Sequence, residues 1–412
     1  MTNLDEYKAD AKEQMQRGDY GAAIRSLTEA LEIDRANTTL YLTRGLAYYM
    51  RKDFDLAIED LTATLALDYQ NLDALLTRGN AYLQSGNVDA AIEDYDEYIN
   101  IAPDHADAPY NRRAAARASK GNIRDAIADY GEAIRVATGE RGKLYYSRAT
   151  LRYNEGDYQG AIQDCTAAID NDYPAPEVYS ARGSAYAQLN LPDEAIRDYA
   201  QAIAYDRRDI MAYYNRGAVY YQSGQLEQAI EDFSMAIALR PDDPTAYYAR
   251  AIACADAGDY RRARQDLSQV LKMQPANAAA YHKRGIAYQK RNKPAKARAD
   301  FESAVELAPH QAQFMVSLGE MYLQLERYEE ALIILKKALI AQQEGTSQLT
   351  SRILGALAIT YYLQENTEQA ERCWQMLIER NARYNDIDAL KESFDWHEDL
   401  LQAAAKLMAI TA

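Results

Sequence analysis

A chain of 412 residues with a net charge of −16 repels phosphate backbones and anionic bilayers, which excludes nucleic acid and membrane surfaces as its main partners. Ten prolines and 19 glycines are too few for long disordered linkers, and no apolar run is long enough to span a bilayer. The start MTNLDEYKADAKEQ has no apolar signal segment, and three cysteines, Cys165, Cys254 and Cys373, are odd in number and far apart, so a cytoplasmic protein with reduced thiols is expected.

A 34-residue unit recurs along the chain. Tyr213–Pro241, YYNRGAVYYQSGQLEQAIEDFSMAIALRP, aligns with YYARAIACADAGDYRRARQDLSQVLKMQP ending at Pro275, and then with YHKRGIAYQKRNKPAKARADFESAVELAP ending at Pro309. A fixed period of this size marks a solenoid, in which each unit buries its apolar faces only against its neighbours. With Tyr213 set as position 4 of 34, repeats begin at Leu4, Thr38, Leu72, Asp107, Gly142, Pro176, Ile210, Pro244, Ala278, Ala312 and Ser351. The array therefore runs over residues 4–384, with Ala106 and Arg141 as single extra residues and Thr346–Thr350 as an insert before the eleventh repeat.

In chain order, repeat one has a polar first helix carrying Asp10, Lys12 and Gln14, suited to cap one end of a stack. Each central repeat predicts two helices. In the seventh, Tyr213, Gly217 and Tyr220 mark one face of the first helix, Gly224 the turn, and Ala229, Phe233 and Ala236 the second helix, which Pro241 ends. Repeat four closes with VATGERG instead of an apolar residue and proline, which predicts a hinge or a change of pitch there. After Asn385 the period stops. Ile387, Leu390, Phe394, His397, Leu401, Ala404 and Met408 recur at helical spacing, predicting one long amphipathic capping helix over 385–412 with His397 packed against the array.

An aromatic at position 4, Gly or Ala at 8, Tyr at 11, Ala at 20, an aromatic at 24, Ala at 27 and Pro at 32 resemble the tetratricopeptide repeat family. Repeat eleven is the weakest match, with Leu354 and Ala358 in its first helix, but Ala370 and Trp374 keep the second. The resemblance implies an all-α, right-handed superhelical solenoid of eleven helix-turn-helix repeats. It also implies that positions 2, 5, 6, 9, 12 and 13 of the first helices line a concave groove.

The eleven copies align with one another and expose a charge pattern. Position 7 is arginine in repeats two to nine: Arg44, Arg78, Arg113, Arg148, Arg182, Arg216, Arg250 and Arg284. Position 23 is aspartate in the same eight: Asp60, Asp94, Asp129, Asp164, Asp198, Asp232, Asp266 and Asp300. Elsewhere both are replaced together, by Asp10 and Ser26, by Leu318 and Ile334, and by Leu357 and Cys373. Joint presence and joint loss predict an ion pair within each repeat, because a planar guanidinium can hold a carboxylate bidentately. A row of arginines reading an acidic ligand is the alternative.

No phosphate loop, zinc-protease motif or metal-spaced cysteine pair is present, and His105, His282, His310 and His397 are scattered, so neither an enzyme nor a cofactor is expected. Binding is the expected class. Tyr146, Tyr214 and Tyr248 occupy position 5, while Tyr153 and Tyr221 occupy position 12. Either these rings form an aromatic strip for a peptide or they pack between first helices. The carboxylate clamp known in the family is missing, since Leu42 and Leu46 stand at its second-repeat positions. The basic run His282–Arg298 offers His282, Lys283 and Lys290 to an acidic peptide or to the acidic repeats of a second copy. The reading is an adaptor or scaffold for a peptide or protein, with a self-assembling protein or the regulatory subunit of a separately encoded enzyme as alternatives.

Overall fold

A computed structural model describes residues 3–342, 348–394 and 396–411, and among them every regular element is a helix. The helices pair into eleven hairpins: α1 (Asn3–Arg17) with α2 (Tyr20–Ile33), α3 (Thr38–Arg51) with α4 (Phe54–Leu67), and α5 (Leu72–Gln84) with α6 (Val88–Ile101). Then come α7 (Asp107–Ser119) with α8 (Ile123–Val136), α9 (Arg141–Asn154) with α10 (Tyr158–Asp170), and α11 (Pro176–Gln188) with α12 (Pro192–Tyr205). The series continues through α13 (Ile210–Gln222) with α14 (Leu226–Leu239), α15 (Pro244–Asp256) with α16 (Tyr260–Met273), and α17 (Ala278–Lys290) with α18 (Pro294–Leu307). It ends in α19 (Ala312–Gln324) with α20 (Tyr328–Ala341), α21 (Gln348–Leu363) with α22 (Thr367–Arg380), and then α23 (Ile387–Phe394) and α24 (Glu398–Thr411).

Local chemistry sets these bounds. Asn37, Asn71, Asp209 and Asn277 accept a bond from a backbone N–H in the first turn of the helices they precede. Position 15, in the turn of every hairpin, is left-handed. Gly18, Gly86, Gly121, Gly156, Gly224 and Gly258 fill it in six repeats, and Lys52, Asn190, Asn292, Glu326 and Glu365 in the rest.

The chain divides into two compact units, Met1–Arg207 and Arg208–Ala412. Within each, a first helix packs on its own second helix, and that second helix packs on the first helix of the following repeat. Tyr95 and Tyr199 are fully buried in the first unit, and Phe301 and Trp374 in the second.

Two expectations need correction. The residues after Asn385 do not form one long helix: the run breaks between Phe394 and Glu398, and α24 turns onto α19, α21 and α22. His397 is therefore not packed. It sits half-exposed before α24, where its carbonyl accepts from Leu400 and Leu401 and its ring approaches Asp399. The insert before the eleventh repeat is partly helix, since α21 already begins at Gln348; Thr346 and Ser347 lie outside the described residues. At the VATGERG closure a side chain takes over the end of α8. Arg141 donates from Nε and Nη2 to the Ala137 carbonyl at 3.0 and 2.7 Å, capping α8 where proline usually ends the helix. One apolar cluster, with Ile134, Ala137 and Leu144, runs through the segment.

Candidate functional site: the faces of the first helices

Because α3 and the first helices after it present position 7 toward their own second helices, each repeat arginine lies beside an aspartate sixteen residues on. All eight pairs are bidentate. Arg44 donates from Nε and Nη2 to Asp60 at 2.7 and 2.8 Å, and Arg284 to Asp300 at 2.8 and 2.7 Å. The six pairs between them have the same geometry. The aspartates are buried, and the arginine stems are mostly covered. Bonding to Asp60 holds the Arg44 guanidinium above its ordinary value. At Asp94, burial pushes the carboxyl up and the Arg78 bonds offset only part of that.

Sequence reasoning missed the third nitrogen. Nη1 of Arg44, Arg78 and Arg182 reaches Thr28, Thr62 and Thr166, and that of Arg250 and Arg284 reaches Ser234 and Ser268, at 3.0–3.2 Å. Arg113 reaches Asp96 at 2.5 Å. Each acceptor stands at position 25 of the preceding repeat, so a rung ties three helices and two repeats. The signal was present as a column of Thr, Ser and Asp. The aromatic at position 4 adds to the rung: the Arg113 and Arg284 guanidinium carbons lie 5.4 Å from the ring centres of Tyr110 and Tyr281. In repeats four and five a second arginine, Arg117 or Arg152, replaces the position-11 tyrosine and reaches the same aspartate.

The position-5 and position-12 tyrosines are half-buried. In the first unit Tyr146 meets Tyr173 with ring centres 6.1 Å apart, and Tyr153 meets Tyr158 edge-on at 5.3 Å. In the second, Tyr214 lies 5.6 Å from Phe233, Tyr248 packs against the buried cluster of Ala251, Leu267 and Ala280, and Tyr221 donates to Asp256 at 2.5 Å. That bond pushes the Tyr221 hydroxyl up to about 12, while burial raises Tyr214 and Tyr248. His282 departs from its expected role. It is 6% exposed, bonds Ser317 through Nε2 at 2.9 Å, and lies 4.6 Å from the Phe314 ring, so it fills the gap between α17 and α19. Lys283 and Lys290 on the same helix are exposed.

A cleft of about 530 Å³ opens beside them. Ile286, Gln289 and Lys290 of α17, Gln313 and Glu320 of α19, and Arg352 of α21 line it, and Trp396 to Leu400 close one side. These are groove positions 9, 12 and 13, then 2 and 9, then 2 of successive repeats. Glu320 is a second buried charge that the period did not reveal. It accepts two bonds from Arg352 at 2.6 Å and one from the Trp396 indole at 2.9 Å. Gly355 admits that indole, since a Cβ there would lie 2.6 Å from Trp396. Among the described residues no three His, Cys, Asp or Glu side chains gather as a metal site, and no helix is long and apolar enough to cross a membrane. Burial pushes the Cys165 thiol up to about 12 and the Cys254 thiol to about 11, which keeps both protonated and unreactive.

No curated protein matches the sequence significantly. Among solved structures, the C-terminal part of a TPR repeat-containing protein from Cytophaga hutchinsonii has a TM-score of 0.51 at 16% identity, covering 60% of this chain and 99% of that one. MamA from residue 41 onward, from Desulfovibrio magneticus RS-1, has a TM-score of 0.40 at 23% identity, over 41% of this chain and 97% of that one. YrrB, described as a TPR protein with an unusual peptide-binding site, has a TM-score of 0.40 at 20% identity, over 51% and 98%. The family model described as TPR repeat matches residues 11–52, 193–224 and 217–256. The model described as Tetratricopeptide repeat matches residues 42–106, 111–176, 248–288 and 282–346, more than half of the chain. With its hairpins and turn geometry on the same frame, the chain belongs to the tetratricopeptide repeat family.

Proposed function

We propose that this protein is an interaction scaffold, an adaptor that holds an extended peptide or protein segment of a partner against its first helices. The observation that supports this reading is the cleft on α17, α19 and α21, where groove positions of three successive repeats face one space. Ile286 and Trp396 offer apolar area, Gln289 and Gln313 offer backbone-reading amides, and Lys290 offers charge. Lys283, exposed about two turns before Lys290 on the same helix, extends the positive side toward an acidic segment. In repeats seven and eight, Tyr214, Tyr221 and Tyr248 each keep part of the ring accessible, and Tyr146 and Tyr153 do the same in the first unit. On this reading the chain binds and leaves chemistry to its partners. Its free thiols, two of the three buried, suit a cytoplasmic setting.

The test is affinity capture with the full chain as bait, followed by crosslink mapping. A captured partner is expected to crosslink to α17–α21, and Lys283→Glu with Lys290→Glu is expected to reduce its recovery about tenfold. Capture that persists undiminished in that double variant, with crosslinks elsewhere, overturns the reading.

A further inference from the structure

We propose that the groove end formed by α19 and α21 is a binding site for a short amphipathic helix led by a tryptophan. The chain keeps this site filled with its own residues 396–411, and a partner helix of the same chemistry displaces them. In a central repeat the groove columns stay open: Tyr214, Asn215 and Ala218, at positions 5, 6 and 9 of α13, are partly exposed. The same positions are buried at the end of the array, as Val316, Ser317 and Glu320 on α19 and as Gly355, Ala356 and Ile359 on α21. Helix α24 lies over this stretch, packed on α19 and α21 as well as on α22. A helix that only continued the stack would rest mainly on α22, as each first helix rests on the second helix before it.

Three groove columns break their pattern here, and the exceptions meet at one side chain. Position 5 is glycine only in repeat eleven, position 9 is acidic only in repeat ten, and position 2 is arginine only in repeat eleven: Gly355, Glu320 and Arg352. Trp396 sits where they meet and is 5% exposed. Its indole N–H donates to Glu320 at 2.9 Å, and Arg352 holds the same carboxylate with two bonds of 2.6 Å. The far edge of the indole lies over Gly355, in space that a Cβ would take. A tryptophan suits this notch because it brings both a large ring and a donor. Phenylalanine would leave the buried carboxylate one donor short, and leucine would leave the notch underfilled. Behind the indole, Leu401, Ala404 and Leu407 form the buried face of α24, while Gln402 and Lys406 are exposed. The occupant is thus an amphipathic helix with one aromatic anchor.

A segment on the same chain meets its site at an effective concentration in the millimolar range, so a peptide added to wild type competes poorly. Fluorescence anisotropy therefore uses a fluorescein-labelled peptide with the sequence of residues 396–411 and full chains whose own segment is weakened. Trp396→Ala empties the notch, and Leu407→Ala loosens α24 near its other end. Each is expected to bind the peptide at least about tenfold more tightly than wild type does. A peptide with alanine in place of its tryptophan is expected to bind them at least about tenfold more weakly. Gly355→Ala crowds the notch for either occupant and is expected to show no gain. Circular dichroism identifies the variants that fold, and either Trp396→Ala or Leu407→Ala suffices. Binding no tighter than wild type up to about 1 mM, or loss of the fold in both, makes α24 a fixed cap and overturns the proposal. So does equal binding of the alanine peptide, or a gain in Gly355→Ala that matches Trp396→Ala. No captured partner enters the test, so its outcome is separate from the reading of Lys283 and Lys290.

Discussion

His282 illustrates what a side chain must accept once the repeat frame buries it. Its imidazole packs at a tilt against Phe314, bonds Ser317, and has Lys283 and Arg352 nearby, so burial first and these cations second lower its pKa to about 4. An unfolded histidine titrates near ~6.5. Between those two values the unfolded chain binds a proton that the folded chain refuses, so stability falls as pH falls through this window. The shift corresponds to about 3 kcal/mol, fully lost by about pH 4. His282→Gln removes the titration. Urea unfolding of the second unit at pH 7 and pH 4 is expected to show wild type losing about 3 kcal/mol more than the variant, and parallel losses would refute the assignment. Its burial was hard to read from the letters. Position 5 holds Lys8, Leu42, Tyr214 and His282 in different repeats, and only the neighbouring first helix decides whether such a group is covered.

At the scale of helices, the rungs act as clamps between hairpin partners. Arg250 holds Asp266 on α16 with two bonds and Ser234 on α14 with a third, so one side chain joins three helices. Asp266→Ala leaves a largely covered guanidinium without its carboxylate and is expected to cost about 3–5 kcal/mol. Replacing both partners is a different matter. Repeat ten already carries Leu318 and Ile334 at these positions, buried and apolar. Arg250→Leu with Asp266→Ile copies that solution and is expected to stay close to wild type, as measured by thermal unfolding of both variants; a double variant as unstable as the single one would contradict it. Helix positions and the sixteen-residue charge spacing were legible because both repeat many times. The Arg352–Glu320–Trp396 contact was not, since it occurs once, joins residues far apart in sequence, and depends on the break between α23 and α24.

At the largest scale, within each of the two units the helices touch their hairpin partner and the adjacent repeat and little else, so stability there is a chain of neighbour terms. This is why the eleven-hairpin organisation follows from the period, while the division after Arg207 does not: the period continues through it unchanged. The buried clusters make the same point. One large cluster joins repeats nine to eleven to the C-terminal helices through Phe301, Trp374, Phe394 and Trp396, whereas the clusters of earlier repeats are small and local. A lesion in a rung should therefore remain local. In Asp266→Ala, amide hydrogen exchange is expected to accelerate in α15 and α16 and in their neighbours α14 and α17, which the same rung and the same packing hold. Helices α1 to α8 share none of those contacts and are expected to exchange at the wild-type rate. Exchange that rises uniformly from α1 to α22 would mean that the array unfolds as one cooperative body, and the neighbour-by-neighbour account of its stability would fail.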